Sequence, residues 1–492
     1  MRAALPLALT LVATLLLSSA CEPAAVPGDD APAGGTSDTT LVIRGVTIVD
    51  VERGALLADR TVLVRGRRIV SVDSGVPAAG AGATVVDGAG KYLIPGLWDM
   101  HVHAARGGRA PSFWPLFLAH GVTGVRETGS FLDSLLYWRE MARREPRASP
   151  RVIWSSPMLD GDPPTYAYAR TIATPAQARA AVAEMDSLDF DYLKIYSGLS
   201  RASFLAVADE ARRRGVQIAG EVPNAVSPVE AAEAGMRSFE HLWNLFESCV
   251  PGAGALRDSI AALDNRDAPD AERRPLRERQ WSRWRTGYDT ACADTLALRL
   301  RRAGTWQVPT LVVNRSYSFP DSTWGNDVQR AAVAADVLAG WDTTRAELVA
   351  EYGATGAVAW RARWTHERDI MQRMLAEGVG FLAGSDASNE PYSYAGSSLH
   401  EELVLLVQAG LSPLQALQAA TINPARFLHA TDSLGTVAPG KLADLVLLDA
   451  NPLVDIRHTT RIHGVVREGH WLDRPALDGL LVQARKAANR TR

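Results

Sequence analysis

From Leu97 onward the chain alternates short apolar runs with longer amphipathic stretches. Eight such runs stand out: Leu97–His103, Val122–Glu127, Arg151–Pro157, Tyr192–Ser197, Val216–Val222, Met236–Leu242, Trp306–Val313 and Val379–Ala387. Their length and their β-branched and aromatic content predict buried strands. The stretches between them carry helix punctuation. Thr174-Pro175 opens one helix, with proline at its first position. Ser227-Pro228-Val229-Glu230 reads as a capping box with proline at the first helical position, Gly235 ends that helix, and Gly215 closes the helix that begins after Ser200. Strands alternating with helices predict a parallel sheet with right-handed crossovers, and eight units predict a (β/α)8 TIM barrel. An open doubly wound sheet fits less well, because no glycine-rich phosphate loop follows the first strand.

The flanks follow another rhythm. Short strands over Leu41–Ile43, Val46–Val49, Thr61–Arg65, Arg68–Val72 and Thr84–Val86 are separated by turns at Gly45, Gly66 and Gly88. A matching set follows the barrel at Ala443–Leu448, Ile462–Arg467 and Trp471–Leu472. The two flanks, residues 41–90 and 436–475, are expected to pair into a small β-sandwich built from both ends of the chain, with the barrel occupying 91–435. Residues 246–304 are too long for a barrel connection and are rich in Arg and Asp, which predicts a helical insertion over the barrel mouth and a candidate lid. At the N-terminus Met1-Arg2, an apolar run from Ala3 to Leu17 and Ser18-Ser19-Ala20-Cys21 read as a secretory signal over residues 1–21. Residues 22–40, rich in Pro, Gly and Ala, read as a tether with little to bury.

Composition narrows the function classes. In 492 residues the net charge is −3, so no basic footprint for nucleic acid and no polybasic membrane patch is present. Beyond Cys21 the chain has Cys249 and Cys292, which either pair as a disulfide in an oxidising compartment or remain two thiols. Of 52 Lys+Arg residues only Lys91, Lys194, Lys441 and Lys486 are lysines. Lys194 lies inside the apolar run Tyr192–Ser197, where an ammonium group is costly unless it is paired or neutralised.

The strand ends collect chemistry. In "LWDMHVH" a period of two puts Asp99, His101 and His103 on one face. An isolated His-x-His triplet is a weak signal, but four other strands reinforce it. The fourth presents Lys194 on a face shared with Tyr192 and Tyr196, and the fifth ends at Glu221. The sixth ends at His241, and the eighth at Asp386 after the small residues Ala383 and Gly384. Ordinary barrel packing fills such positions with aliphatic residues, so the pattern points to a metal centre at the carboxyl ends of the strands.

These stretches, with "GVTGVRETG", "SPVEAAEAGMRSFEHL", "AGLSPLQALQAATINPARFL" and "LGTVAPGKLADLVLLDANPLVDI", resemble the amidohydrolase superfamily, in its imidazolonepropionase-like and Xaa-Pro-dipeptidase-like branch. The resemblance runs from about Leu41 to Leu472. It implies that Lys194 is carboxylated by carbon dioxide, its carbamate bridging two divalent metals, Zn2+ or alternatively Mn2+. His101 and His103 would hold one metal and His241 the other. Asp386 would ligate and act as general base for a metal-held hydroxide that attacks a carbonyl. Tyr196 would hydrogen-bond the developing oxyanion or else be an ordinary packed tyrosine. The chain departs from the family at Glu221, where a histidine is usual; the carboxylate would either ligate the second metal or replace it as an acid/base group.

The resulting expectation is a metal-dependent hydrolase of carbon–nitrogen bonds, acting on a small dipeptide-like, N-acyl amino acid or cyclic amide substrate. Lactone or ester hydrolysis at the same site is one alternative, and a binding lipoprotein without the second metal is another. The sequence "LLLSSAC" resembles a bacterial lipobox, which would make Cys21 a lipid anchor and the protein a periplasmic or cell-envelope one, touching the membrane only through that lipid. No nucleic-acid partner is expected, and homo-oligomerisation is left open. Tyr166, Tyr168, Arg170, Arg315 and Tyr317 lie in loops that follow barrel strands and are candidate pocket residues; His400 reads as a surface histidine at a helix start.

Overall fold

A computed structural model describes residues 39–75, 82–264, 269–387 and 390–490. The expected signal, most of the tether and the Cys21 lipidation site lie outside the described residues. The flanking strands form one sheet. Its members are β1 (Thr40–Asp50), β2 (Ala55–Arg65), β3 (Arg68–Asp73), β4 (Thr84–Asp87), β5 (Tyr92–Pro95), and then β15 (Leu445–Leu448), β16 (Ile462–Arg467) and β17 (His470–Leu472). The order is β17-β16-β15-β5-β1-β2-β3, with β4 pairing β1. The antiparallel pairing of β15 with β5, Leu447 opposite Leu93, joins the two ends of the chain. Pleat alternation splits these strands between two cores. Leu93, Leu445 and Leu447 join Ile43, Val62 and Val64 in a small core, while Ile94, Val446 and Leu448 join the main one.

The main core surrounds parallel strands. Strands β6 (Leu97–Val102), β7 (Val122–Glu127) and β8 (Arg151–Trp154) form one sheet. The short pairs β9 (Leu159–Asp160) and β10 (Arg170–Thr171) join β11 (Tyr192–Ile195), β12 (Gln217–Gly220), β13 (Met236–Glu240) and β14 (Trp306–Val308) in a second. Parallel bridges Ser155↔Tyr192, Gln307↔Phe381 and Val102↔Ala387 connect their edges. The result is an α/β fold of TIM-barrel type.

Two expected strands are shorter than their apolar runs. The seventh stops at Val308, because Pro309 has no N–H for the ladder, and Leu311–Ser318 is helical. Over Val379–Ala387 only isolated bridges form, with backbone bonds from Leu382 N to Gln307 O (2.9 Å), Asp386 N to His101 O (2.7 Å) and His103 N to Ala387 O (2.7 Å). Gly384 allows this close approach: a Cβ there would sit 2.6 Å from Val308 Cγ1 and 2.8 Å from His101 Cβ.

The helix punctuation follows the sequence. Thr174 and Gln177 make a reciprocal capping box, and Gly215 closes its helix at φ 75°. Only half of the box expected at Ser227 forms: Ser227 accepts from Glu230 N, but the Glu230 carboxylate pairs with Arg201. Residues 246–304 contain the helices Ala253–Asp264, Asp270–Thr286 and Thr290–Ala303, and Cys249 is disulfide-bonded to Cys292. The helical run Ala335–Ala376, broken at Gly353 (φ 49°), was not anticipated. Among the described residues no helix is long and apolar enough to cross a membrane.

Candidate metal centre

The expected strand-end residues converge. Asp386 Oδ1 lies 3.3 Å from His103 Nε2 and 3.7 Å from His101 Nε2, and its Oδ2 lies 3.9 Å from His241 Nε2. Glu221 Oε1 is 3.7 Å from His241 Nε2. One ligand atom from each of His101, His241 and Asp386 falls within 4.8 Å of the others, a spacing that a single cation can span. All of these residues and Lys194 are buried.

Each imidazole is aimed by a partner at its other nitrogen. His101 Nδ1 meets Glu240 Oε2 at 2.7 Å, His103 Nδ1 meets Gly129 O at 2.9 Å and His241 Nδ1 meets Thr310 Oγ1 at 2.7 Å. These contacts turn the Nε2 side of each ring to the centre, where His103 Nε2 also lies 3.3 Å from Thr128 Oγ1, the arrangement of histidines that bind metals. His101 Nε2 and Lys194 Nζ are buried without a hydrogen-bond partner among the described residues. A ring nitrogen and an amine left in this state are costly, and a divalent cation with an anionic bridge would satisfy both, so the donor set fits the expected metals. Backbone conformation serves the same end: His241 (φ 65°), Thr310 (φ 45°) and Asp386 (φ 56°) all lie in the left-handed region. That conformation is costly for such residues and is typical of functional sites.

The electrostatics are those of a dry site. Burial, with Lys194 nearby, holds His101 well below the ordinary histidine range, and burial brings His241 down to about 4. Burial pushes Glu221 up to about 8 against the pull of Lys194. Burial also lowers Lys194, although Glu240 and Glu221 oppose it. For Asp386 burial acts upward, but the surrounding imidazoles win and hold its carboxyl below the usual carboxylate range. The site therefore offers neutral His101 and His241 imidazoles and an ionised Asp386, the protonation states that bind metal.

Other expected residues divide. Tyr196, Tyr166 and Tyr168 cluster just beyond the Lys194 strand, Tyr166 and Tyr168 stacked at 5.1 Å with the Arg106 guanidinium 4.9 Å from the Tyr168 ring centre. Tyr317 donates to Glu390 Oε2 at 2.7 Å. Arg170 is exposed and pairs with Glu184, and Arg315 pairs with Glu401. His400 is buried rather than on the surface, bonded to Thr459 Oγ1 and His120 O. Glu240, Thr310, Glu390 and Arg106 escaped the sequence reading. Only Glu240, a carboxylate inside the apolar run that ends at His241, carried a signal that could have found it.

Fold and site together define a TIM-barrel-type α/β protein whose strand ends gather buried histidines around a carboxylate. A model of the amidohydrolase family matches residues 330–472. Adenine deaminase 2 of Jannaschia sp. (strain CCS1) is 55% identical over 53 residues, 11% of this chain and 8% of that protein. The chain spans well under two thirds of the first curated relatives it matches, between 8% and 19% of their lengths. Among solved structures, a bottromycin amidohydrolase has a TM-score of 0.69 at 24% identity, covering 91% of this chain and 90% of that one. A Xaa-Pro dipeptidase with bound methionine has a TM-score of 0.63 at 18% identity, covering 88% of this chain and 100% of that one. The fold is thus shared with these solved structures, and residues 330–472 match the amidohydrolase family model.

Proposed function

We propose that the protein is a metal-dependent hydrolase of carbon–nitrogen bonds in small amide, dipeptide-like or N-acyl amino acid substrates. The observation that carries this reading is the convergence of three Nε2 atoms and Glu221 around Asp386, with every Nδ1 engaged elsewhere. His101, His103, His241, Asp386, Glu221 and a carboxylated Lys194 would hold two divalent metals, zinc or manganese. When bound, these would polarise a carbonyl and acidify water. Asp386 takes the proton of the attacking water and delivers it to the leaving nitrogen. Tyr196, just beyond the Lys194 strand, donates a hydrogen bond to the carbonyl oxygen as negative charge develops there and keeps its proton. Lys194 is suited to carboxylation because burial favours its neutral amine, which can add to carbon dioxide and lose a proton.

The same reading takes the two parallel sheets and their bridging segments as one closed (β/α)8 barrel over 91–435, with 41–90 and 436–475 as its companion β-domain and 246–304 as an insertion near the mouth. It also takes the protein as exported and lipid-anchored at Cys21. The Cys249–Cys292 disulfide supports an oxidising compartment.

Metal analysis and turnover test the proposal. Protein purified from medium supplemented with zinc or manganese is expected to carry roughly two equivalents per chain and to lose activity on chelation. Absence of turnover on every member of a panel of dipeptides, N-acyl amino acids and cyclic amides by the metal-loaded protein would overturn it.

A further inference from the structure

Near the candidate metal centre lies a half-buried carboxylate that the proposed chemistry does not use. Glu390 lies four residues beyond Asp386, and its Oε2 accepts from the Tyr317 hydroxyl at 2.7 Å. Its charge acts on Tyr166, Tyr168 and Tyr196, and it lies within electrostatic reach of Asp386, His103 and Arg106. The three tyrosines form one cluster with Met158, with Tyr166 and Tyr196 at 5.7 Å. Tyr317 is itself backed by Trp360, stacked at 5.9 Å. A carboxylate bonded to one tyrosine and within electrostatic reach of three more and of Asp386 has a definite chemical meaning. An ionised carboxylate only accepts hydrogen bonds, and aromatic faces carry negative potential, so the recess prefers a cationic N–H donor.

Resting on the hydrolase reading, we propose that Glu390, held by Tyr317 and flanked by Tyr166, Tyr168 and Tyr196, anchors a protonated amine of the substrate. The substrate class is then an amide with a free ammonium group close to its scissile carbonyl. Arg106 supports this polarity. Its guanidinium lies 4.9 Å from the Tyr168 ring centre and 5.7 Å from that of Tyr166, so the substrate turns its ammonium toward Glu390 and an anionic or neutral end toward Arg106. Burial and the charge of Asp386 push the Glu390 carboxyl up to about 7, and an arriving cation would favour its ionised form.

The test compares metal-loaded wild type and Glu390→Gln on amides that differ only in a free or an N-acetylated amine. Wild type is expected to prefer the free amine. Glu390→Gln should lower kcat/KM for the free-amine members by about 10- to 100-fold and leave the acetylated members nearly unchanged. Equal loss on both series, or a wild-type preference for acetylated substrates, would overturn the anchor. Should Glu390→Gln fold poorly, Tyr317→Phe removes only the hydroxyl that holds the carboxylate and should shift the same ratio in the same direction. Calorimetric binding of isopentylamine against isopentanol supplies a readout free of turnover: the ammonium should bind at least about tenfold tighter to wild type, and Glu390→Gln should erase the difference. Amine binding without turnover of any substrate would retire the hydrolase reading and keep the anchor. Turnover without amine preference would retire the anchor alone.

Discussion

Glu240 shows how one side chain can orient a centre it does not enter. Its Oε2 holds His101 Nδ1, while its Oε1 accepts from Arg126 Nη2 and Ser238 Oγ, both at 2.8 Å. Glu240→Gln keeps the shape but removes the charge that balances the fully buried Arg126. An uncompensated buried charge is destabilising, so urea unfolding is expected to show a loss of about 3 kcal/mol. Competition with a chelator should show metal affinity weakened about 10- to 100-fold, because the His101 ring loses the acceptor that fixes its tautomer. Thr310 does the same for His241 through a single hydroxyl. Thr310→Val is expected to weaken metal binding about tenfold with little change in stability, while Thr310→Ser retains the hydroxyl and the affinity. Equal affinities in Val and Ser variants would remove Thr310 from the positioning set.

At the scale of elements, what was legible depended on periodicity. Lys194, His101, His241 and Asp386 could be read because polar groups interrupt apolar strands near their ends, where aliphatic packing is the norm. Thr310 could not, because its role depends on a left-handed backbone that no local pattern announces. Glu240 was obscured in a related way. Strict alternation would turn Glu240 and His241 to opposite faces, but the strand ends at Glu240 and His241 turns at φ 65°, so both serve one centre. His400 failed for want of a long-range partner: the helix Ser397–Gln408 packs on the 3-10 turn Ile456–Thr460, whose Thr459 bonds the ring. Burial, with the neighbouring His120 ring, brings His400 down to about 3 from its ordinary 6.5. Its stabilising contribution is therefore complete above the unfolded value and is lost as pH falls from there toward the folded one. His400→Leu is expected to lower stability near neutrality by about 1–2 kcal/mol, through the unpaired Thr459 and His120 groups. It should also flatten the decline of unfolding free energy between about pH 6.5 and 4. An unchanged slope in urea titrations across that range would show that other groups govern it.

For the molecule as a whole, the question is how the sheet built from both chain ends is fixed to the barrel-type core. Apolar contact supplies much of it, since Ile94, Val446 and Leu448 belong to the main core. A buried charge network supplies specificity. Arg151, at the start of β8, reaches Glu468 Oε1 at 2.6 Å and Asp444 Oδ2 at 3.3 Å. Arg467 bonds Asp444 Oδ1 at 3.0 Å, Glu468 Oε1 at 2.7 Å and, just before β8, Ser149 O at 2.9 Å. Arg67 adds a further contact to Glu468 Oε2 at 2.9 Å. Replacing such a network wholesale with apolar groups can be neutral, but removing one member leaves charge behind. Arg151→Met removes the cation that β8 contributes and leaves Asp444 and Glu468 sharing Arg467 and Arg67, with an expected loss of about 3–5 kcal/mol at neutral pH. The pH dependence should shift with it. Burial alone would raise Asp444, but Arg467 and Arg151 hold it below its ordinary 3.8. A depressed folded value contributes stability that is present above the unfolded pKa and is lost as pH falls through the folded one. Without Arg151 the folded value rises, so acid unfolding followed by circular dichroism should begin at a higher pH than in wild type. Acid limbs that superimpose after correction for the neutral-pH difference would mean that Arg467 alone sets the charge state of Asp444, and that the parallel-strand core contributes only packing to this joint.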